Sequence, residues 1–423
     1  MAFVLAFFHR LAPGALAGEM QQVFGVSGAS LGLLAAMYFN IYFVMQVPSG
    51  ILADTLGPRK LFTAGALVAG VGSLVFGLAP NLGMALFGRF LVGLGVSVAF
   101  ISVLKLNAAW FLERQFATMT GLLMFIGNMG GLLSAAPLAW LVEQTSWRYV
   151  FVATGALSIL LAGLTWRFLR DSPHEMGLPS MQQLEGKPEY PRVSENWLEA
   201  LKTVLANRRT WPSFLAFFGQ VGSYLSFTGL WAIPYLHEVH GMSQQVAAWH
   251  TSLTVACFAV SALAVGALSD RIGRRTPLMR GLGFIAVLCW LPLLLGVAMP
   301  LAASLALFAL MGASIAGTSL VWACGKEVNP PAFSGTSTSV VNTGGFLGPA
   351  LLQPAVGMVL DLSSRGVAHS AGDWRLALAV LFVFSVFGWL CTFFVTETHC
   401  RNIYQSSATG YRARPKTSMG AEP

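Results

Sequence analysis

The sequence predicts an all-α membrane protein, with twelve transmembrane helices arranged as two pseudo-symmetric six-helix bundles. Three observations carry this. The chain is 55% hydrophobic and 10% charged over 423 residues, more apolar surface than a water-soluble domain can hide. Apolar windows of roughly 20 residues, long enough for a helix to cross about 30 Å of hydrocarbon, occur twelve times. One charged phrase stands twice between such windows, as Gly50-x-x-x-Asp54-x-x-Gly57-Pro58-Arg59-Lys60 and Gly266-x-x-x-Asp270-x-x-Gly273-Arg274-Arg275, which marks an internal duplication.

In order, the windows fall near 1–24, 30–53, 60–79, 82–108, 116–142, 148–170, 212–236, 246–268, 278–298, 301–323, 334–360 and 374–396. The polar stretch from Asp171 to Thr210, with Pro173, Pro179, Pro188 and Pro191, divides six windows from six and reads as a cytoplasmic linker. The expected organisation is a first bundle over 1–170, a linker over 171–211, a second bundle over 212–397 and a cytoplasmic tail over 398–423. Within the linker, Trp197, Leu198, Leu201, Val204 and Leu205 have the spacing of a short amphipathic helix suited to a membrane surface. The first window has no basic leader and no small-residue cleavage site, so it is expected to remain as a helix. Cys257, Cys289, Cys324, Cys391 and Cys400 lack metal-ligand spacing and read as packing residues.

Short basic loops stay cytoplasmic during insertion, so the positive charge sets orientation. Most of the 25 Lys and Arg fall in loops or tails that the count makes cytoplasmic. Arg148, Arg365 and Arg375 fall on the other side, and Arg10, Arg89 and Lys105 fall inside predicted helices. Both termini therefore come out cytoplasmic, as for a bacterial inner-membrane protein. The net charge of +8 reports this topology and is no argument for a nucleic-acid partner.

The duplication extends further. Glu113, Asn128, Gly130 and Gly131 match Glu327, Asn342, Gly344 and Gly345 at one constant offset, and Trp147-Arg148 is answered by Trp374-Arg375. Glycines at 121, 127, 130, 131, 344, 345 and 348 remove side chains where helices approach. Bends are expected at Pro137 and Pro349, and a helix break at Pro234. Paired halves of this kind enclose a substrate site near mid-bilayer in secondary transporters.

With these landmarks the chain resembles the major facilitator superfamily over essentially its whole length. The paired loop phrase is that superfamily's most specific motif, and Arg89-x-x-x-Gly93-x-Gly95 resembles a second. The first half is most similar to the anion:cation symporter group of organic-anion and sugar-acid carriers, through Phe24-Gly25-Val26-Ser27, Met45-Gln46-Val47-Pro48-Ser49-Gly50, Arg89 to Gly95, Trp110-Phe111 and Trp147-Arg148. The resemblance implies a gating latch at the cytoplasmic ends of the halves, formed by Asp54, Arg59 and Lys60 with Asp270, Arg274 and Arg275, and with Arg89 as a further gating residue; the alternative is that these charges mark the membrane boundary. Where efflux members carry Gly-Pro, this chain has Gly127-Asn128.

An ionisable group deep in a spanning helix costs at least about 2.5–3.5 kcal/mol on insertion scales, which makes it a functional candidate. Arg10 lies mid-helix, and a guanidinium grips a carboxylate with two parallel bonds; the resemblance also implies an arginine there that contacts substrate. His9 stands where the resembling family has an aspartate, and Val96 occupies its acidic position on the fourth helix. All 17 Asp and Glu fall at helix ends, in loops or in tails. His9 is thus the one deep group able to carry a proton near neutral pH, or else a neutral core histidine. Lys105 aligns with a cationic position of the family or snorkels to the interface. Arg89 is expected at the interface opposite the linker. Tyr38, Tyr42 and Gln46 share one helix face; Tyr224, Phe227, Trp231 and Tyr235 share another; Asn128 and Asn342 are equivalent in the two halves. These polar and aromatic residues suit a wall around an amphiphilic organic anion, and suit plain helix packing equally.

The expected function is import of a small organic anion, with proton symport, uniport and anion exchange open. The alternatives are an efflux antiporter for amphiphilic compounds and a non-transporting receptor or scaffold. The expected partners are the anion, membrane lipid and, in the symport case, protons; one chain supplies both halves, so a monomer suffices. No cofactor, metal or catalytic residue is expected, because the sequence has no nucleotide-binding glycine loop, metal-ligand cluster or activated nucleophile.

Overall fold

The computed structural model describes residues 2–111, 113–179, 181, 197–330, 333–364 and 369–404. Among the described residues the regular structure is helical throughout: α1 (Ala2–Phe24), α2 (Gly28–Thr55), α3 (Pro58–Gly77), α4 (Leu82–Ser97), α5 (Ala99–Trp110), α6 (Glu113–Leu133), α7 (Ala136–Gln144), α8 (Trp147–Phe168), α9 (Trp197–Ala206), α10 (Trp211–Ser226), α11 (Ala232–His240), α12 (Gln244–Ile272), α13 (Thr276–Leu295), α14 (Leu301–Ile315), α15 (Leu320–Glu327), α16 (Ser334–Ser363) and α17 (Ala371–Cys391). Ten stretches of the described residues are long and apolar enough to cross a membrane, and the chain is an integral membrane protein. The first and seventh predicted windows are helical but fall outside the ten. His9, Arg10 and Glu19 lower the hydropathy of α1, and a widened π turn at Phe227–Trp231 divides α10 from α11.

Local chemistry explains where the helices start and stop. Ser27, Asn81, Ser146 and Ser243 each accept a backbone N–H of the first turn that follows, and Ser370 with Asp373 forms a reciprocal cap at α17. Gly241, Gly273 and Gly296 end their helices at positive φ, which glycine adopts without a Cβ penalty. Besides the seventh, three predicted windows are divided in two: at Val98, at Ser134–Ala135 ahead of Pro137, and at the tight turn Ala316–Ser319. Pro137 sits in the first turn of α7, where its missing N–H costs nothing. The helix is uninterrupted at two of the expected positions, against the break expected at Pro234. The helix α16 runs unbroken through Pro349 and Pro354, and α11 continues through Pro234. There the strain of a ring against the carbonyl of Leu230, four residues back, is taken up by the π turn just before it.

The duplication seen in the sequence is repeated in the packing. A β-carbon at Gly130 on α6 would fall on the Val4 carbonyl and crowd Phe8 N of α1; one at Gly344 on α16 would lie 2.6 Å from the Phe214 carbonyl and 3.3 Å from Phe218 N of α10. Each half of the sequence therefore seats its first spanning helix against a glycine of its fifth. Arg148 at the start of α8 donates to the carbonyls of Gly77 and Ala79 that end α3 (3.1 and 2.7 Å), and Arg375 in α17 donates to Leu295 O that ends α13 (3.1 Å). These cations also meet the negative ends of the two helix dipoles.

The charged loops show a third correspondence. The Asp171 carboxylate, just after α8, accepts the Arg59 N–H at the start of α3 (2.5 Å), and the Glu397 carboxylate, just after α17, accepts the N–H groups of Arg275 (3.0 Å) and Thr276 (2.9 Å) at the start of α13. Burial pushes the Glu397 carboxyl up, but the hydrogen bonds from Arg275, Thr276 and His399 outweigh it and hold the group down at about 2. The linker helix α9 is docked as well: Ala200 and Val204 are buried, and the Asn207 amide that follows donates to Val328 O (2.8 Å) and Asn329 Oδ1 (2.9 Å) of the second half.

Gly344→Ala is expected to destabilise the second bundle by about 1–3 kcal/mol, the cost of overpacking a close-fitted interior. Gly18→Ala is the matched control, because nothing lies within 4 Å of its β-carbon position. Thermal unfolding in detergent, followed by size-exclusion recovery, reads the difference; equal behaviour of the two variants would contradict this account of the glycine contacts.

Candidate functional site

The two halves meet along α2–α16, α1 with the π turn and α11, and α6–α7 with α12. Among the described residues, the hydrogen bonds between the halves all lie toward the end opposite the linker. Asp361, near the end of α16, accepts the N–H of Gly28 (2.7 Å) on one carboxylate oxygen and that of Ala29 (2.8 Å) on the other. These are orphan donors of the first turn of α2, so the contact joins a carboxylate to a helix N-terminus. Gln244 donates to Ala15 O (2.6 Å), Gln245 to Ala136 O (3.3 Å), and the Ala136 N–H to Ser252 Oγ (3.0 Å). Glycines permit the approach: a β-carbon at Gly32 would stand 2.5 Å from Gln353 O, and one at Gly14 2.9 Å from Gly229 O. On the linker side, Gly50 of α2 and Gly266 of α12 have nothing within 4 Å of their β-carbon positions.

Arg10 lies between these two regimes. Its guanidinium carbon is 4.4 Å from the ring centre of Phe7, 5.1 Å from Phe346, 5.9 Å from Tyr42 and 6.0 Å from Tyr38. Phe346 comes from the second half and stacks on Tyr42 at 4.1 Å and 14°. The Tyr38 hydroxyl donates to Ala6 O (3.2 Å), which fixes its ring. Arg10 Nε is buried without a hydrogen-bond partner, although the residue as a whole is only half-buried. Cation–π contact is worth about 0.5–2 kcal/mol, well short of the desolvation cost of several kcal/mol per buried ion. A planar, always-charged fork with unused donors thus stands at the junction of the halves.

Below it in the first bundle is a second cation. Arg89 is 0% exposed, which corrects its expected place at the interface; the packing of α1, α2 and α4 encloses it. One terminal nitrogen donates to His9 O (2.8 Å), Nε and the other terminal nitrogen have no partner, and the Tyr38 and Phe76 rings lie 5.7 and 5.9 Å from its guanidinium carbon. The His9 ring points away from Arg10. It packs on Phe8 and Phe151 beside a cavity of about 20 Å³, room for about one water, lined by Leu5, Gly65, Val96 and Ser158, and neither ring nitrogen has a partner.

The remaining expected residues divide. Gln46 is buried one turn beyond Tyr42; Asn128 and Asn342 are half-buried on α6 and α16; Lys105 and Asn128 are both engaged by neighbours. Trp231 belongs elsewhere: its indole donates to Gln353 O (3.1 Å) and packs on Trp374 in the core of the second half. The stripe it shares is core packing too, with Phe227 against Trp290 and Phe308 and the Tyr235 hydroxyl on Leu293 O. At the linker end, Arg275 pairs with Asp270 (3.0 Å) and Glu327 (2.7 Å) inside its own half; the Glu327 hydrogen bonds raise its pKa despite burial. Arg59 donates to Trp166 O (2.6 Å) within the first half, Lys60 and Arg274 are exposed, and the Asp54 side chain lies outside the described residues. The structure thus gathers Arg10, Tyr38 and Tyr42 and keeps the loop charges within their separate halves. Sequence reasoning missed Phe7, Phe346, Asp361 and the caps Asp171 and Glu397; only the last two carried a signal, as equivalent carboxylates following Trp147-Arg148 and Trp374-Arg375.

Asp361→Asn is expected to weaken the closed end by about 1–2 kcal/mol, the scale of a charge at a partly buried helix N-terminus. Spin labels at Ser27 and Ser364 read it: the variant lengthens their distance distribution, and an unchanged distribution would contradict a closing role.

Comparison with known proteins agrees with this architecture. The Major Facilitator Superfamily model matches residues 1–353 and 232–410. The chain is 26% identical over 290 residues to the probable sulfoacetate transporter SauU of Cupriavidus necator, spanning 66% of this chain and 65% of that protein, a little under two thirds of its length. It is 23% identical over 396 residues to the probable galactarate/D-glucarate transporter GudP of Escherichia coli, spanning 85% of this chain and 86% of that one. In fold it matches a bacterial homolog of the human lysosomal transporter Spinster, with a TM-score of 0.72 at 19% identity over 93% of this chain and 95% of that chain.

Proposed function

The chain belongs to the major facilitator superfamily, and from that premise we propose that it carries a small organic anion through a twelve-helix, two-bundle membrane domain by alternating access. The observation that carries the reading is Arg10: a guanidinium with unused donors, held by rings from both halves where they meet. A carboxylate or sulfonate satisfies that fork and replaces lost hydration, and the relatives named for sulfoacetate and galactarate carry anions of this chemistry. Tyr42, Phe346 and Tyr38 form the apolar wall, with Gln46, Asn128, Asn342 and Lys105 as the candidate polar contacts around it.

In this reading the basic loops and the linker face the cytoplasm of a bacterial inner membrane, both termini included, and the Asp361 seam closes the outer side. The conformer is then inward-facing. The loop charges Asp54, Arg59, Lys60, Asp270, Arg274 and Arg275 meet across the halves only when the carrier turns outward, and a single chain performs the cycle in lipid.

Uptake of labelled sulfoacetate and galactarate into proteoliposomes tests this. Arg10→Gln is expected to lower uptake by about 100-fold or more, as for loss of a buried charged contact of about 3–5 kcal/mol, and Arg10→Lys to fall between, keeping charge without the fork. Uptake unaffected by Arg10→Gln, or export of lipophilic cations with no anion flux, would overturn the reading in favour of efflux.

A further inference from the structure

Resting on that reading, we infer that the carrier is an obligatory anion exchanger: only the loaded form changes sides. The cause is an unbalanced charge built into the first bundle. Arg10 is faced by Phe7, Tyr38, Tyr42 and Phe346, and Arg89 by the His9 carbonyl, Tyr38 and Phe76. No carboxylate is among them, and among the described residues no Asp or Glu lies near the middle of a spanning helix. Val96 and the His9 ring, which share the small cavity described above, supply no negative charge. A carrier that returns empty must close both ends around its site, so its cation needs an internal counter-ion for that passage. A carboxylate serves this in a proton-coupled cycle by pairing with the cation when the site is empty and binding a proton when it is loaded. Here the transported anion is the available counter-ion. Occlusion of the empty site strands the guanidinium in a dry interior, whereas occlusion of the loaded site encloses a compensated pair.

The test compares two fluxes in wild-type proteoliposomes: labelled sulfoacetate entering vesicles preloaded with unlabelled sulfoacetate, and the same label entering empty vesicles with an inward proton gradient and the membrane potential clamped. Exchange is expected to exceed net uptake by about 30-fold or more, given a barrier difference of a few kcal/mol at 1.4 kcal/mol per decade. His9→Asp places a carboxylate beside Arg89 and is expected to narrow that ratio by raising net uptake at least about fivefold, since one internal pair relieves part of the penalty. Net uptake within about threefold of exchange in the wild type (under ~0.7 kcal/mol at the same conversion), or a ratio unchanged in a His9→Asp protein that still exchanges, overturns exchange and leaves the anion carrier standing. No flux of sulfoacetate or galactarate in either mode overturns both. Should His9→Asp fail to fold, the wild-type ratio decides alone.

Discussion

Positive charge without a protein counter-ion is the constraint on which the rest of this molecule depends. Two guanidinium groups, Arg10 and Arg89, sit inside the first bundle among rings, backbone carbonyls and apolar side chains. Aromatic faces offset part of the desolvation cost, and one carbonyl offsets a little more. The remainder is a standing preference for an anion at the point where the halves meet. A neutral site with the same walls would bind a different class of molecule, and a site with its own carboxylate would have a different cycle.

The two halves around that site repeat one construction. Each is closed on itself by the same three devices: a glycine-backed contact between its first and fifth helices, an arginine on the carbonyls ending its third, and a carboxylate on the N–H groups starting its third. The junction between the halves is made of the same kinds of contact. Its hydrogen bonds run from side chains to backbone groups, and its closest packing is glycine against backbone.

Much of the architecture was legible because a spanning helix announces itself over about 20 residues and a duplication supplies the same information twice. The divided helices were less so: Pro137 signalled one break, whereas Val98 carries no breaker of its own and the turn Ala316–Ser319 holds Gly317, which the many other glycines of spanning helices do not set apart. Arg10 was legible as a charge where a charge is costly. Its cage was not, because Phe346 reaches it from the other half and no local pattern reports a contact of that span. Arg89 was misplaced because counting from a helix start says nothing of how far the neighbouring helices cover it. The Tyr224 to Tyr235 stripe had the periodicity of a cavity wall and is core, since one period serves both. Asp361 read as an ordinary charge at a helix end; its meaning depends on α2 starting directly opposite.

The central claim is that the Arg10 site takes an organic anion. Its most direct test is the melting temperature of the detergent-purified protein, titrated with sulfoacetate and galactarate at constant ionic strength, because a ligand that binds only the folded state raises it by mass action. The account predicts a saturable rise in the wild type and in the exposed-charge control Arg208→Gln, and no rise in Arg10→Gln. The same rise in Arg10→Gln, or none with either anion in the wild type, would contradict it.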